Sequence, residues 1–579
     1  MRVTTKMINN NMLANISKNK NRLNTLNEQY TTGQKIQRPS DDPIIAVRTL
    51  KLRQTMTEIN QYVEKNIPDA MSWMDITTSA LDSMDGILTS IYGYLNQGAT
   101  DVLATSERKT VAENLEQLKG QLYSEGNANY SGRYVFTGYK TDTPLTFQTK
   151  EISLDYRIKE NFDLTDVDEV SKVMGFYKLD DYDAETPDAT VFKNTPVETI
   201  VNKIQLGYTN LKSEIEDTTK NKITVTKAMK DPNNNIGYFE YENDVQDNLG
   251  NNLLFPDITV NVTGKDGKTK TLQEMGITIV QKSVNDRDAY DLEAVTNAIT
   301  STIDALDKDN PGDAISYTIN NNGQEHEISK DNADKVAIFI PETGEIILSS
   351  SAHNALRIAE ASIEVEYSKD VFEAGDVRPE HYYTCTSTDK DTEELIKYTY
   401  EKQNIDYEIN FGQKMTVNTN ISDVVGNNFA RTIDNVLSIV NEVSDLEQQI
   451  KDAEGFLASQ DISTQQKEAL TALKTQLETQ LTIKNKMMTN AFEEALDKLK
   501  GYQTKVNTAN ANLGSRYSRL EMVEERLTSQ YSEYEELLSE NIDVDLVETY
   551  VNLTSANSVY ESSLSTSAKI AKNSLLDFI

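Results

Sequence analysis

The sequence predicts an α+β multidomain protein. A discontinuous helical, coiled-coil domain is built from the N- and C-terminal helices, and one or more β-rich outer domains are inserted between them. Three observations predict this. Apolar residues recur with a seven-residue rhythm near both ends. From about 145 to 420 the pattern changes to period two, broken by glycine turns. The charge is also uneven: of the net −35, residues 1–150 carry +2, residues 151–420 carry −26 and residues 421–579 carry −11. At 579 residues the chain is too long for one core.

A first helix is expected over about 8–33, with Met12, Ile16, Leu23, Leu26 and Tyr30 on one stripe and Asn19 interrupting it. A polar residue in such a stripe costs stability and sets register. Next comes the turn Pro39-Ser40-Asp41-Asp42-Pro43, where Asp42 suits an N-cap and Pro43 the first helical position. The helix after it, about 43–98, steps by fours and threes except at Ile59, Val63 and Ile67, where two fours meet. That stutter beside Pro68 predicts a bend or break. Trp73 flanks the stripe and reads as core. A third helix runs from about Thr105 to Gly126, and 132–139 reads as a strand.

In the middle, Asp266-Gly267, Asn322-Gly323 and the turn 341–344 each separate two alternating runs and predict hairpins. Helices are expected near 196–217 and 291–306. A last hairpin covers 407–417. The heptad rhythm then returns from Phe429 to Leu538, with a break near 455–462, and a final stripe carries Leu564, Ala568, Ala571, Leu575 and Phe578. Three domains are expected: 1–43 with 535–579, 44–150 with 405–534, and the acidic insert 151–404. The stripes at the extreme ends are hard to bury within one molecule, so they are expected to form an assembly interface.

The acidic balance argues against nucleic acid and against an anionic membrane surface. No run reaches the length of a membrane span, and the N-terminus lacks the apolar core of a cleaved signal peptide. Cys385 is the sole cysteine, which excludes an intrachain disulfide and reads as a small apolar residue. No metal site or cofactor is expected. His326-Glu327 is followed by Lys330 where a second zinc ligand would stand, His381 and Cys385 have no second pair, and Asp307–Gly312 departs from a calcium loop at Pro311 and Thr318. No phosphate loop or acid/base pair stands out, so an enzyme is not expected.

Several motifs at the two ends resemble the flagellin superfamily. They are Asn9-Asn10-Asn11-Met12 through Gly33-Gln34-Lys35-Ile36, then Asn127 with Ser131 through Pro144, and Leu513-Gly514-Ser515-Arg516. Pro39 through Pro43, Leu50-Lys51-Leu52-Arg53 and the ending Ser574 through Ile579 are more similar to the members that join hook to filament than to the filament subunit. Thr32 and Gln37 depart from the commoner Ser and Asn. In the insert, the turn 375–383 is similar to inserts of some of those joining members. The resemblance covers about 1–145 and 405–579. It implies paired terminal helices lining a channel, and a structural subunit exported unfolded by the flagellar type III pathway. It also implies partners: a ring of its own copies, a hook-associated protein on the hook side, flagellin on the filament side and an export chaperone. Flagellin itself, or a scaffold displaying an adhesive or enzymatic middle, are the alternatives.

Overall fold

The computed structural model describes residues 5–100, 103–213, 222–230, 236–246, 253–256, 258–309, 313–321, 324–329, 331–459 and 462–576. Its helices are α1 (Thr5–Thr32), α2 (Pro43–Gln61), α3 (Ile67–Gly98), α4 (Thr105–Glu125), α5 (Leu292–Asp309), α6 (Ser350–Ile358), α7 (Ile421–Val424), α8 (Asn428–Leu457), α9 (Thr464–Ile542) and α10 (Leu546–Leu576). The chain divides into two compact units. The first comprises Met1–Met74, Asp406–Val417 and Gly514–Ile579; the second comprises Asp75–Ile405 and Asn418–Leu513. The fold is α+β, with helices from both ends of the sequence and several sheets between them.

In the first unit α1 pairs with α10. Gly33 closes α1 with φ +73°, a left-handed conformation that glycine adopts without the steric penalty of a Cβ. The return strand is pinned there: Lys35 N–H donates to Ile542 O (2.6 Å) and Val544 N–H to Gly33 O (2.9 Å). Between α2 and α3 the backbone forms one π-helical segment, Tyr62–Asn66. It falls on the predicted stutter. Pro68 has no N–H to offer the Glu64 carbonyl, and the wider turn absorbs the extra residue in the stripe. The hairpin Asp406–Asn410/Gln413–Thr416 braces it. Asn66 Nδ2 donates to Glu408 O (2.8 Å), the Tyr407 hydroxyl donates to Asp69, and the Tyr62 and Phe411 rings meet edge-on at 5.5 Å.

The second unit is layered. A five-stranded sheet runs in the order 278–281, 336–340, 345–348, 197–205, 167–174. Its central strands are buried on both faces. Val336, Ile338, Ile340 and Val201 enter a core shared with α5 and with Ile223, Val225 and Ile319 of a four-stranded sheet. Ala337, Phe339, Ile346 and Ile204 enter the opposite core, shared with α6 and with Ile158, Val260, Ile363 and Val365 of a six-stranded sheet. In a third cluster Tyr177 and Phe192 pack on Leu446 of α8 and on Leu473 and Leu477 of α9.

The hairpins at 259–263/269–271, 313–321/324–328 and 336–340/345–348 lie where the turn signals predict them, although Asn322-Gly323 itself lies outside the described residues. Two expectations are corrected. The helix expected near 196–217 is strand Val197–Gln205. Its apolar residues 197, 200, 201 and 204 mimic helical spacing, but Val201 and Ile204 serve opposite faces of a sandwiched strand. The single strand expected at 132–139 is a tight hairpin, Asn129–Tyr130 with Arg133–Tyr134, turned by Ser131 (φ +52°) and Gly132 (φ +84°).

Candidate assembly site at the paired termini

The α1 stripe is built as its spacing predicts. Met12, Ile16, Asn19, Leu23 and Leu26 are half-buried, while most positions between them are exposed. The polar member finds a polar partner: Asn19 Nδ2 donates to Ser563 Oγ across the pair (3.4 Å). Tyr30 lies with its ring 5.5 Å from that of Tyr550, although 41% of Tyr30 remains exposed.

The opposing face of α10 is not its most apolar one. Thr549 and Ala556 are buried, Tyr560, Ser563 and Ser567 are half-buried, and serines line a groove of about 500 Å³ beside Met12 and Ile16. Leu564 (42% exposed) and Ala568 (exposed) are therefore less covered than that small-residue face. At about 100° per residue they lie roughly a quarter-turn around α10 from the small-residue face. The side chains of Ala571 and Leu575, and the whole of Phe578, lie outside the described residues. The exposed flanks of α10 further carry Leu546, Val547, Tyr550, Val551 and Val559, and α1 exposes Met7 and Leu13. On α2, Ile44 (81% exposed), Val47 and Leu50 are also uncovered. Apolar surface left open on neighbouring helices is what an assembling surface requires.

The turn before α2 is held by its own carboxylates. Asp42 has extended backbone angles (φ −148°, ψ 102°), and its Oδ1 accepts from the amides of Ile44 (2.9 Å) and Ile45 (3.2 Å). Asp41 Oδ2 accepts from the amides of Gln37 (3.2 Å) and Arg38 (2.9 Å). Pro39 and Ser40 are exposed, and Pro43 occupies the first helical position. Asp42→Ala is expected to destabilise the start of α2 by about 1 kcal/mol, read as faster hydrogen exchange at residues 46–50.

In the second unit the turn at 375–383 joins the insert to the helical base. Arg378 stacks over Phe147 (4.3 Å) and its amide donates to Leu145 O (2.9 Å). Tyr382 donates to Val425 O (3.0 Å) and Tyr208 to Val377 O (2.9 Å). His381 Nε2 lies 3.1 Å from Pro144 O, so this nitrogen carries the proton of the neutral ring. Burial pushes the His381 pKa down to about 4. Burial, with Glu380 nearby, pushes the Cys385 thiol up to about 12, as befits a packing residue. Among the described residues no cluster of His, Cys, Asp and Glu could hold a metal ion, and no helix is long and apolar enough to cross a membrane.

Residues 3–141 match the family model for the bacterial flagellin N-terminal helical region. Flagellar hook-associated protein 3 of Salmonella typhimurium is 27% identical over 143 residues, which cover 24% of this chain and 45% of that protein. Its Escherichia coli K12 namesake is 27% identical over 144 residues, 25% of this chain and 45% of that protein. The chain thus spans about half the length of the curated relatives it matches. Among solved structures, Xanthomonas campestris FlgL aligns over 84% of this chain and 99% of its own at 10% identity, with a TM-score of 0.27. Hook-associated protein 3 of Legionella pneumophila aligns over 84% and 97% at 11% identity, with a TM-score of 0.25. Superpositions that shallow carry no functional weight.

Proposed function

We propose, from a chain whose N-terminal region is of the bacterial flagellin type, that this protein is a structural subunit of the flagellum joining hook to filament. The observation that carries the reading is the pairing of this N-terminal helix with the C-terminal one, with apolar flanks left open on both. The two curated relatives, both named as hook-associated proteins, support the junction over the filament subunit. In this reading the terminal helices (1–43 with 535–579) form an inner core, the next helices (44–150 with 405–534) a rod, and the insert 151–404 faces outward. Copies form a ring whose lower face meets another hook-associated protein and whose upper face templates flagellin. The chain is exported unfolded by the flagellar type III route with the help of a chaperone, and it catalyses no reaction. Open terminal flanks suit a subunit whose ends order fully only on assembly.

Deleting the gene tests the reading. The expected result is hooks without filaments and flagellin shed into the medium. Cells that still carry normal filaments would overturn it.

A further inference from the structure

The two arms of the first unit carry opposite charge. Residues 5–53 hold nine basic and three acidic side chains, whereas residues 521–561 hold one basic and eleven acidic. The arms pack on each other: α1 lies along α10, and Asn541 Nδ2 donates to Thr49 Oγ1 of α2 (2.8 Å). Among the described residues, however, no ion pair joins them. The charges stand on the outer sides instead.

Two exposed patches carry this contrast. Ala46 and Thr49 belong to the buried face of α2. At about 100° per residue, Ile44, Val47, Arg48 and Lys51 lie on the far side, all exposed, with Leu50 at the edge. At the turn from α9 into α10, Thr549 is buried, while Leu546, Val547 and Val551 are exposed beside the exposed carboxylates Asp543 and Glu548. Each patch has an apolar centre and a charged rim, as docking surfaces do. One rim is basic and the other acidic. Both patches are exposed in the single chain, so neither covers the other.

We propose that the two patches meet between copies: the α2 patch of one copy docks on the α9–α10 turn of the next. Attraction between the rims favours this pairing, and two like patches would set like charges against each other. A contact between unlike patches is heterologous, and repeated by a rotation that closes it builds a ring. The rims thus fix the direction in which the copies follow one another. This rests on the junction reading above and adds to it which surfaces touch.

The test is cross-linking in isolated flagella, with the full chain carrying Val47→Cys and Val547→Cys, oxidised by diamide and run on a non-reducing gel. Val47 and Val547 are 53% and 76% exposed and the native Cys385 is buried, so the new thiols are the reactive ones. A ladder at multiples of the chain mass is expected, with no cross-link in either single variant. A dimer from a single variant, or a double variant in flagella that stays unlinked, links within itself or links to another protein, would overturn the proposal. Absence of the unmodified chain from flagella would instead overturn the junction reading. Charge reversal is the second readout, independent of the thiols. Arg48→Glu with Lys51→Glu, and separately Asp543→Lys with Glu548→Lys, should each lower the amount of chain in flagella by about tenfold, and all four changes together should restore it to within about twofold. Undiminished incorporation of either pair, or no restoration in the combined chain, would overturn the docking.

Discussion

Glu345→Ala is expected to destabilise the second unit by about 3–5 kcal/mol. Glu345 is 3% exposed and neutralises two lysines of neighbouring strands. Lys172 Nζ donates to its oxygens at 3.1 and 2.8 Å, Lys203 Nζ at 3.2 Å, and the Thr343 hydroxyl also donates at 3.2 Å. Removing the carboxylate would leave the buried Lys203 and the half-buried Lys172 without their hydrogen-bonded counter-charge. The two lysines already differ. Burial works against both; for Lys172 the attraction of Glu345 outweighs it and raises the pKa, whereas Lys203, repelled also by Lys172, is left below the ordinary lysine range. Burial also opposes the charge on Glu345, but the two ammonium groups outweigh it and hold its pKa well below the usual carboxylate value of 4.5. This carboxylate therefore contributes stability above about pH 4.5 and loses it as the pH falls further. The loss should appear as a lower urea midpoint for the tyrosine near-ultraviolet signal of the insert, with weaker acid dependence than in the unmodified chain. Replacing all three groups together by apolar residues (K172M, K203M, E345L) should be neutral or stabilising, because no charge then remains to be desolvated.

Removing residues 564–579 is expected to abolish incorporation into the flagellum while leaving the insert's unfolding transition unchanged. Leu564 and Ala568 are exposed in the single chain, and the truncation also removes Ser567 from the face that meets α1. The insert belongs to the other unit and loses none of its own residues, so a loss of assembly with an unchanged insert would place the cause at the terminal helix pair. Co-sedimentation of the truncated protein with purified flagella reads the first effect, and circular dichroism the second. Normal incorporation of the truncated chain would show that this flank is not an interface.

Helices with one apolar stripe are legible because packing repeats along them. The α1 stripe, the stutter at 59–67 and the cap at Asp42 all rest on residues close in sequence. Hairpins turned by Asp266-Gly267 or by 341–344 are legible for the same reason. Strand 197–205 is not, because its apolar residues fall at helical spacing, with Val201 and Ile204 buried on opposite faces and Val197 and Ile200 exposed. The face of α10 that meets α1 is also hidden. Hydrophobicity picks out Leu564 and Ala568, yet the helices approach along Ala556, Ser563 and Ser567, whose small side chains permit a close contact. The groups around Glu345 come from distant segments. No spacing in the sequence announces that Lys172 and Lys203 share one carboxylate.

The most direct test of the junction role is immunogold electron microscopy of intact flagella, using antibody raised against the acidic insert. A single band of label at the boundary between hook and filament is the predicted result. Label running along the filament, or none on flagella from cells that express the protein, would contradict it.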